Sequence, residues 1–153
     1  MVVYRIAKAT YCEDISGTGA KIYGGKWTPK GMTALYTSET RSLSTLELLV
    51  HTDYDLTPPK FKLLSIELPL NTEDIKVIAL EDLPKNWKNA PPPVELKNLG
   101  KQYLIEENNL AIKVPSVIIP EEYNVVINPM HQSFKDVQIK RMTNYEIDIR
   151  LIN

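Results

Sequence analysis

Short apolar runs, cut apart by proline and glycine, constrain the fold of this chain more than any other feature. Residues 2–7, 34–37, 61–68, 110–114 and 123–127 each have strand length and are rich in Val, Ile, Leu, Tyr or Phe. Residues 145–151 read as a closing strand. Only two stretches carry a helical period. In residues 38–53, Leu43, Leu46, Leu49 and Val50 form one apolar stripe, with Ser38 or Thr40 as N-cap. Residues 94–108 form a second candidate, weakened by Gly100. Many short strands, two helices and no β-α-β alternation predict a mixed α+β domain with a mostly antiparallel sheet, not a doubly wound one.

The chain of 153 residues is expected to be one domain with a core of its own. The 91–93 proline run is too short to separate two. A long irregular crossing is expected at 83–93, and loops through the Gly-rich stretch 16–31, where glycines let backbone approach something closely.

Composition removes several function classes. The net charge is -1, and Lys60, Lys62, Lys135, Lys140 and Arg141 are each diluted by nearby acids. Solvated faces explain them better than a nucleic-acid surface, which needs a basic patch or stripe. The single Cys12 excludes an internal disulfide and suits a reducing compartment. Glu13 and Asp14 beside it argue against a reactive thiol. The start of the chain lacks a signal-peptide pattern, and no apolar run approaches the roughly 20 residues that span a bilayer. A cytoplasmic location is therefore expected.

No P-loop, Rossmann fingerprint, zinc-binding helix or nucleophile elbow is present. His51 and His131 lack the spacing of a metal site, so no metal is expected. The glycines 17, 19, 24 and 25 could cradle a phosphate or simply form turns. Five single residues remain as candidates: Arg5, Lys26, Tyr36, Glu47 and Ser116. Each also has an ordinary structural reading, as an edge ion pair, a loop charge, a core aromatic, a helix-flank carboxylate and a turn serine. Glu47 is the most informative, because it sits at the border of the apolar stripe.

Taken in order, the segments carry a resemblance. Tyr4-Arg-Ile-Ala7 is followed by Ser16-Gly-Thr-Gly-Ala20, Gly24-Gly-Lys-Trp-Thr28, Leu35-Tyr-Thr-Ser38 and Ser42-Leu-Ser-Thr-Leu-Glu-Leu-Leu-Val-His51. Then come Leu83-Pro84 with Trp87, Gly100, Val114-Pro-Ser-Val117 and Asn124-Val-Val-Ile-Asn-Pro-Met-His131. The series resembles the RES domain over nearly the whole chain, and the combination is specific where each piece is not. The resemblance implies a fold similar to ADP-ribosyltransferases. It also implies the toxin of a bacterial type II toxin–antitoxin pair, acting on NAD+, with an antitoxin partner bearing an Xre-like DNA-binding domain. A homo-oligomer within such a complex is compatible with it.

Carried over by position, Glu47, Ser116 and Tyr36 fall on family site residues. The motif arginine is replaced: family members usually read Gly-Gly-Arg-Trp, and Lys26 stands there. Lysine cannot make the planar bidentate phosphate contact of arginine. Lys26 and Arg5, with the Gly24 and Gly25 backbone, are then the candidates for holding the NAD+ diphosphate. The expected chemistry is cleavage of the nicotinamide–ribose bond, by hydrolysis or phosphorolysis. Two alternatives stay open: mono-ADP-ribosylation of a cellular protein, and an inactive RES-like module that only binds protein.

Overall fold

The computed structural model describes residues 1–53, 59–69 and 72–152. Its strands are β1 (Val2–Lys8), β2 (Leu35–Ser38), β3 (Phe61–Glu67), β4 (Ile75–Val77), β5 (Ala111–Pro115), β6 (Tyr123–Ile127) and β7 (Gln138–Tyr145). Three α-helices join them: α1 (Thr18–Tyr23), α2 (Arg41–His51) and α3 (Val94–Lys101). The strands form one sheet in the order β4-β5-β6-β2-β1-β3-β7. Every pairing is antiparallel except β4 with β5. The class is the expected α+β.

Because successive strand residues point to opposite faces, the sheet sorts its side chains into two cores. One face carries Val3, Ala7, Leu35, Leu64, Ile66, Val125 and Ile127, and Cys12 packs there. The other carries Ile112, Val114 and Val126, covered by Leu96 from α3, by Leu104 just beyond it and by Trp27 and Trp87. Helix α2 packs on β1 and β2. Its N-cap is Thr40, whose hydroxyl accepts from the Leu43 N–H at 3.0 Å. Ser38, the other cap candidate, instead ends β2.

Four expectations about elements need correction. The closing strand is β7, at 138–145, and residues 149–151 form a 3-10 turn. Asp148 accepts from the Arg150 N–H at 2.9 Å, a local bond that competes with a strand ladder. Strand β7 escapes a two-residue period because a bulge interrupts it: Ser65 pairs with Arg141 and Ile66 with Ile139. Lys140 is thus extra, and Ile139 and Met142 reach one face at a spacing of three.

The second correction is a β-α-β unit, since β4 reaches its parallel neighbour β5 through α3. Third, the helix of residues 94–108 is α-helical only to Lys101 and continues as a π-turn, Gln102–Glu106. Gly100, which weakened that helix on paper, has a packing reason: a Cβ there would overlap the Trp27 carbonyl. Fourth, the Gly-rich stretch contains α1. Gly17 precedes it at φ +76°, where a side chain would also meet the Ala34 backbone at 2.6 Å.

Candidate active site

Helix α2 follows β2 after two residues, so Glu47 is carried back over the sheet toward β6 and the turn after β5. Its side chain is one-quarter exposed. One carboxylate oxygen, Oε1, accepts from Ser116 Oγ at 3.0 Å and from Asn124 Nδ2 at 2.6 Å. The other, Oε2, lies 3.8 Å from His51 Nε2, one turn on along α2, and His51 is mostly exposed. Two donors on one oxygen fix the carboxylate's rotation and leave the second oxygen for a ligand.

Ser116 is fully buried. While its hydroxyl donates to Glu47, it accepts from the Ile118 and Ile119 N–H groups at 3.1 and 3.3 Å. The turn after Pro115 therefore aims this proton at Glu47. Asn124 completes the set from β6, with its Oδ1 accepting from Ser38 Oγ at 2.7 Å.

Tyr36 rises from β2 on the same face. Its hydroxyl takes the Trp27 N–H at 3.1 Å and lies 2.9 Å from Thr28 Oγ1. Burial pushes its pKa up, against those hydrogen bonds. A Cβ at Gly25 would overlap this hydroxyl, so glycine there lets the ring brace the turn. Between Gly25 and Trp27 sits Lys26, half-buried, its ammonium 5.8 Å from the centre of the Trp87 ring. Burial lowers the Lys26 pKa, and the charge of Glu47 opposes that shift. Carboxylate and ammonium thus belong to one electrostatic site, although they make no direct ion pair.

Three of the sequence candidates, Gly24, Gly25 and Arg5, are placed differently from the roles expected of them. The Gly24 N–H donates to the Ala20 carbonyl at 2.7 Å and the Gly25 N–H to the Thr28 carbonyl at 2.9 Å. Both donors are spent on closing α1 and the next turn, so this backbone holds no cradle for phosphate. Arg5 is on the wrong face. Cross-strand partners share a face, and Tyr4 pairs with Ser38, Ser38 with Asn124 and Tyr36 with Val126. Arg5, next to Tyr4, points the other way, toward the core of Val3 and Ala7. It donates to the Asp14 carbonyl at 3.1 Å. Burial lowers its pKa, partly offset by Asp14 and Cys12.

Sequence reasoning assigned no site role to Asn124 and read Ser38 only as a candidate helix cap. A usable signal existed: asparagine is disfavoured within a β-branched strand such as β6, so it needs a reason to be there. His131 and Asn128, by contrast, are buried parts of a chain corner. His131 Nδ1 accepts from the Ser133 N–H at 3.1 Å, and Asn128 Nδ2 donates to the Leu104 carbonyl at 2.9 Å. Two surface cavities, of about 400 and 540 Å³, lie away from Glu47. The first is lined by Leu83, Pro84 and Leu99, the second by Tyr11, Cys12 and Met142. Among the described residues, no three His, Cys, Asp or Glu side chains gather as metal ligands. Nor, among them, is any helix long and apolar enough to cross a membrane.

One mixed α+β sheet thus holds a helix carboxylate against a buried serine, beside a braced turn that carries a lysine. Residues 2–149 match the RES domain, and the chain belongs to that family. It is similar to "Toxin Res" of Photorhabdus laumondii, 37% identical over 154 residues, covering 99% of this chain and 97% of that protein. It is also similar to "Prs ADP-ribosylating toxin" of a Sphingobium species, 33% identical over 147 residues, with 95% and 91% covered. Among solved structures, a chain of the M. tuberculosis MbcT–MbcA toxin–antitoxin complex shares the fold with a TM-score of 0.66. That match has 14% identity and covers 94% of this chain and 83% of that one.

Proposed function

We propose that this protein is the toxin of a toxin–antitoxin pair and that it cleaves NAD+ at the nicotinamide–ribose bond. The observation that carries the reading is the Glu47 carboxylate, with Oε1 pinned by Ser116 and Asn124 and Oε2 facing only the exposed His51, at 3.8 Å. Its relatives' names support a toxin that handles ADP-ribose, and the likeness to a toxin–antitoxin complex supports an antitoxin as partner. An Xre-like antitoxin and a cytoplasmic site of action belong to the same proposal.

The reaction suits these groups. The bond from ribose C1′ to the pyridinium nitrogen breaks with its electron pair on nitrogen, so nicotinamide leaves neutral and needs no general acid. The sugar becomes oxocarbenium-like, and a fixed carboxylate stabilises the growing positive charge, as in glycoside hydrolysis. Water adds to C1′ and releases one proton, giving ADP-ribose. Lys26 holds the diphosphate as a point charge. Tyr36, its hydroxyl already engaged, offers only its ring to the cationic nicotinamide, and Ser116 positions the carboxylate.

The test is turnover of NAD+ by the purified protein, with products followed by NMR. Glu47→Gln keeps the size of the side chain but removes the charge, and turnover is expected to fall at least about 100-fold with folding intact. Wild-type turnover in that variant removes Glu47 from the mechanism. A second acceptor is favoured by the Sphingobium relative's name. Transfer of ADP-ribose to a protein shares the bond-breaking step. Mass spectrometry of cell protein incubated with NAD+ and the enzyme separates it from bulk NAD+ loss.

A further inference from the structure

We propose that Asn124, backed by Ser38, is a positioning residue for the Glu47 carboxylate: it sets which carboxylate oxygen the substrate meets. The inference rests on the reading of Glu47 above and adds to it two residues with no assigned role in the site.

The geometry is specific. Asn124 lies in β6 directly opposite Ser38 of β2 and next to Val114 of β5, so the ladder fixes its backbone on both sides. Its amide can be oriented in only one way. A carboxylate only accepts hydrogen bonds, so the NH2 group must face Glu47, and Oδ1 must then face Ser38. The contacts agree: Nδ2 to Glu47 Oε1 is 2.6 Å, and Ser38 Oγ donates to Oδ1 at 2.7 Å. The Ser38 hydroxyl thereby locks the amide, and the amide locks the carboxylate. Ser116 donates to the same Oε1 from the other element, at 3.0 Å. With Oε1 doubly occupied, Oε2 is the oxygen directed to the ribose. Without Asn124 the carboxylate would keep one hydrogen bond, from Ser116, besides the exposed His51 at 3.8 Å, and would be free to rotate from its productive orientation.

Such a residue acts on the chemical step and not on binding. Asn124→Ala is expected to lower kcat about 10- to 100-fold, the range of a lost hydrogen bond to a charged group, with KM within about 2-fold. Ser38→Ala should lower kcat less, about 2- to 10-fold, because only a neutral bond is lost. Asn124→Asp separates positioning from packing. Two carboxylates at this distance share one proton. While that proton is held, Asp O–H can donate to Glu47 Oε1 as the amide does. This variant is expected to regain kcat as pH falls and to lose it as pH rises, an alkaline limb in kcat that the wild type lacks. A 15N spectrum supplies a readout apart from turnover: the Asn124 side-chain amide signal should shift in Glu47→Ala.

Loss of kcat in Asn124→Ala with the new limb in Asn124→Asp supports the proposal. Wild-type kcat in Asn124→Ala overturns it, as does an unmoved Asn124 amide signal in Glu47→Ala. Should the wild type leave NAD+ intact, the reading of Glu47 fails by itself. The amide signal still decides whether Asn124 holds the carboxylate.

Discussion

Gly100→Ala reverses the ordinary rule for glycine in a helix. In an open helix the exchange stabilises by about 1 kcal/mol, since alanine has the better propensity and less entropy to lose. Gly19 supplies that case within the same chain, because a Cβ there meets nothing within 4 Å. At Gly100 the added methyl would sit on the Trp27 carbonyl, a backbone atom that cannot swing aside as a side chain does. Forcing a methyl group into a packed interior costs about 1–3 kcal/mol, and a backbone neighbour puts this site at the upper end. The cost outweighs the propensity gain, leaving a net loss of about 1–2 kcal/mol. For a domain of this size that is a fall in Tm of about 2–8 °C. The damage also reaches the site, because Trp27 adjoins Lys26 and its N–H is held by Tyr36. Thermal and urea unfolding of Gly100→Ala, Gly19→Ala and the wild type measure the difference, and KM for NAD+ reports the displaced turn. A Gly100→Ala protein as stable as Gly19→Ala would refute the reasoning.

Two further outcomes follow from the charges. Burial lowers the Lys26 pKa, so its positive charge is present at low pH and is lost, as pH rises, earlier than for an exposed lysine. KM for NAD+ is therefore expected to climb on the alkaline side, and Lys26→Arg, which stays charged, should remove that climb; an identical profile in both proteins would take Lys26 off the diphosphate. Arg5 lies on the opposite face of the sheet, so Arg5→Gln is expected to lower stability by about 1–2 kcal/mol through the lost bond to Asp14, with KM within about 2-fold, read by urea unfolding and steady-state kinetics. A large rise in KM alone would return Arg5 to the ligand.

Sequence pattern reached the central strands well and the edges poorly, for a physical reason. Strands β1, β3, β5 and β6 each bury at least two residues of one face, so selection for the core writes an apolar run that can be read directly. Edge strand β7 is mostly solvated and carries a bulge, and β4 has three residues, so neither leaves a period to detect. Helix α2 was legible because its cap is local, although of the expected stripe only Leu43 is fully buried and Val50 is exposed. The crossover from β4 to β5 was not, since it depends on a pairing between segments far apart in sequence.

The site shows a similar division between what a residue is and where the fold sends it. The resemblance to the RES domain picked out Glu47 and Ser116, which do meet; residue pattern alone marked only Glu47, at the border of an apolar stripe. Neither could rank Arg5 against Lys26. Strand parity separates them: Arg5 is one residue from Tyr4, and a single step along a strand moves a side chain to the other face. The glycines misled in the opposite sense. Gly24 and Gly25 suggested free N–H donors, but such donors are useful to a ligand only when the turn leaves them unpaired, and here Ala20 and Thr28 take them. What Gly25 supplies is the missing Cβ, the space that lets the Tyr36 hydroxyl bind Trp27 and Thr28 across the turn. The turn therefore presents Lys26 by side-chain bracing and not by a phosphate-binding backbone. If Lys26 holds the diphosphate as proposed, that grip depends on an ammonium where the family usually has a guanidinium, and Lys26→Arg is the exchange expected to tighten binding.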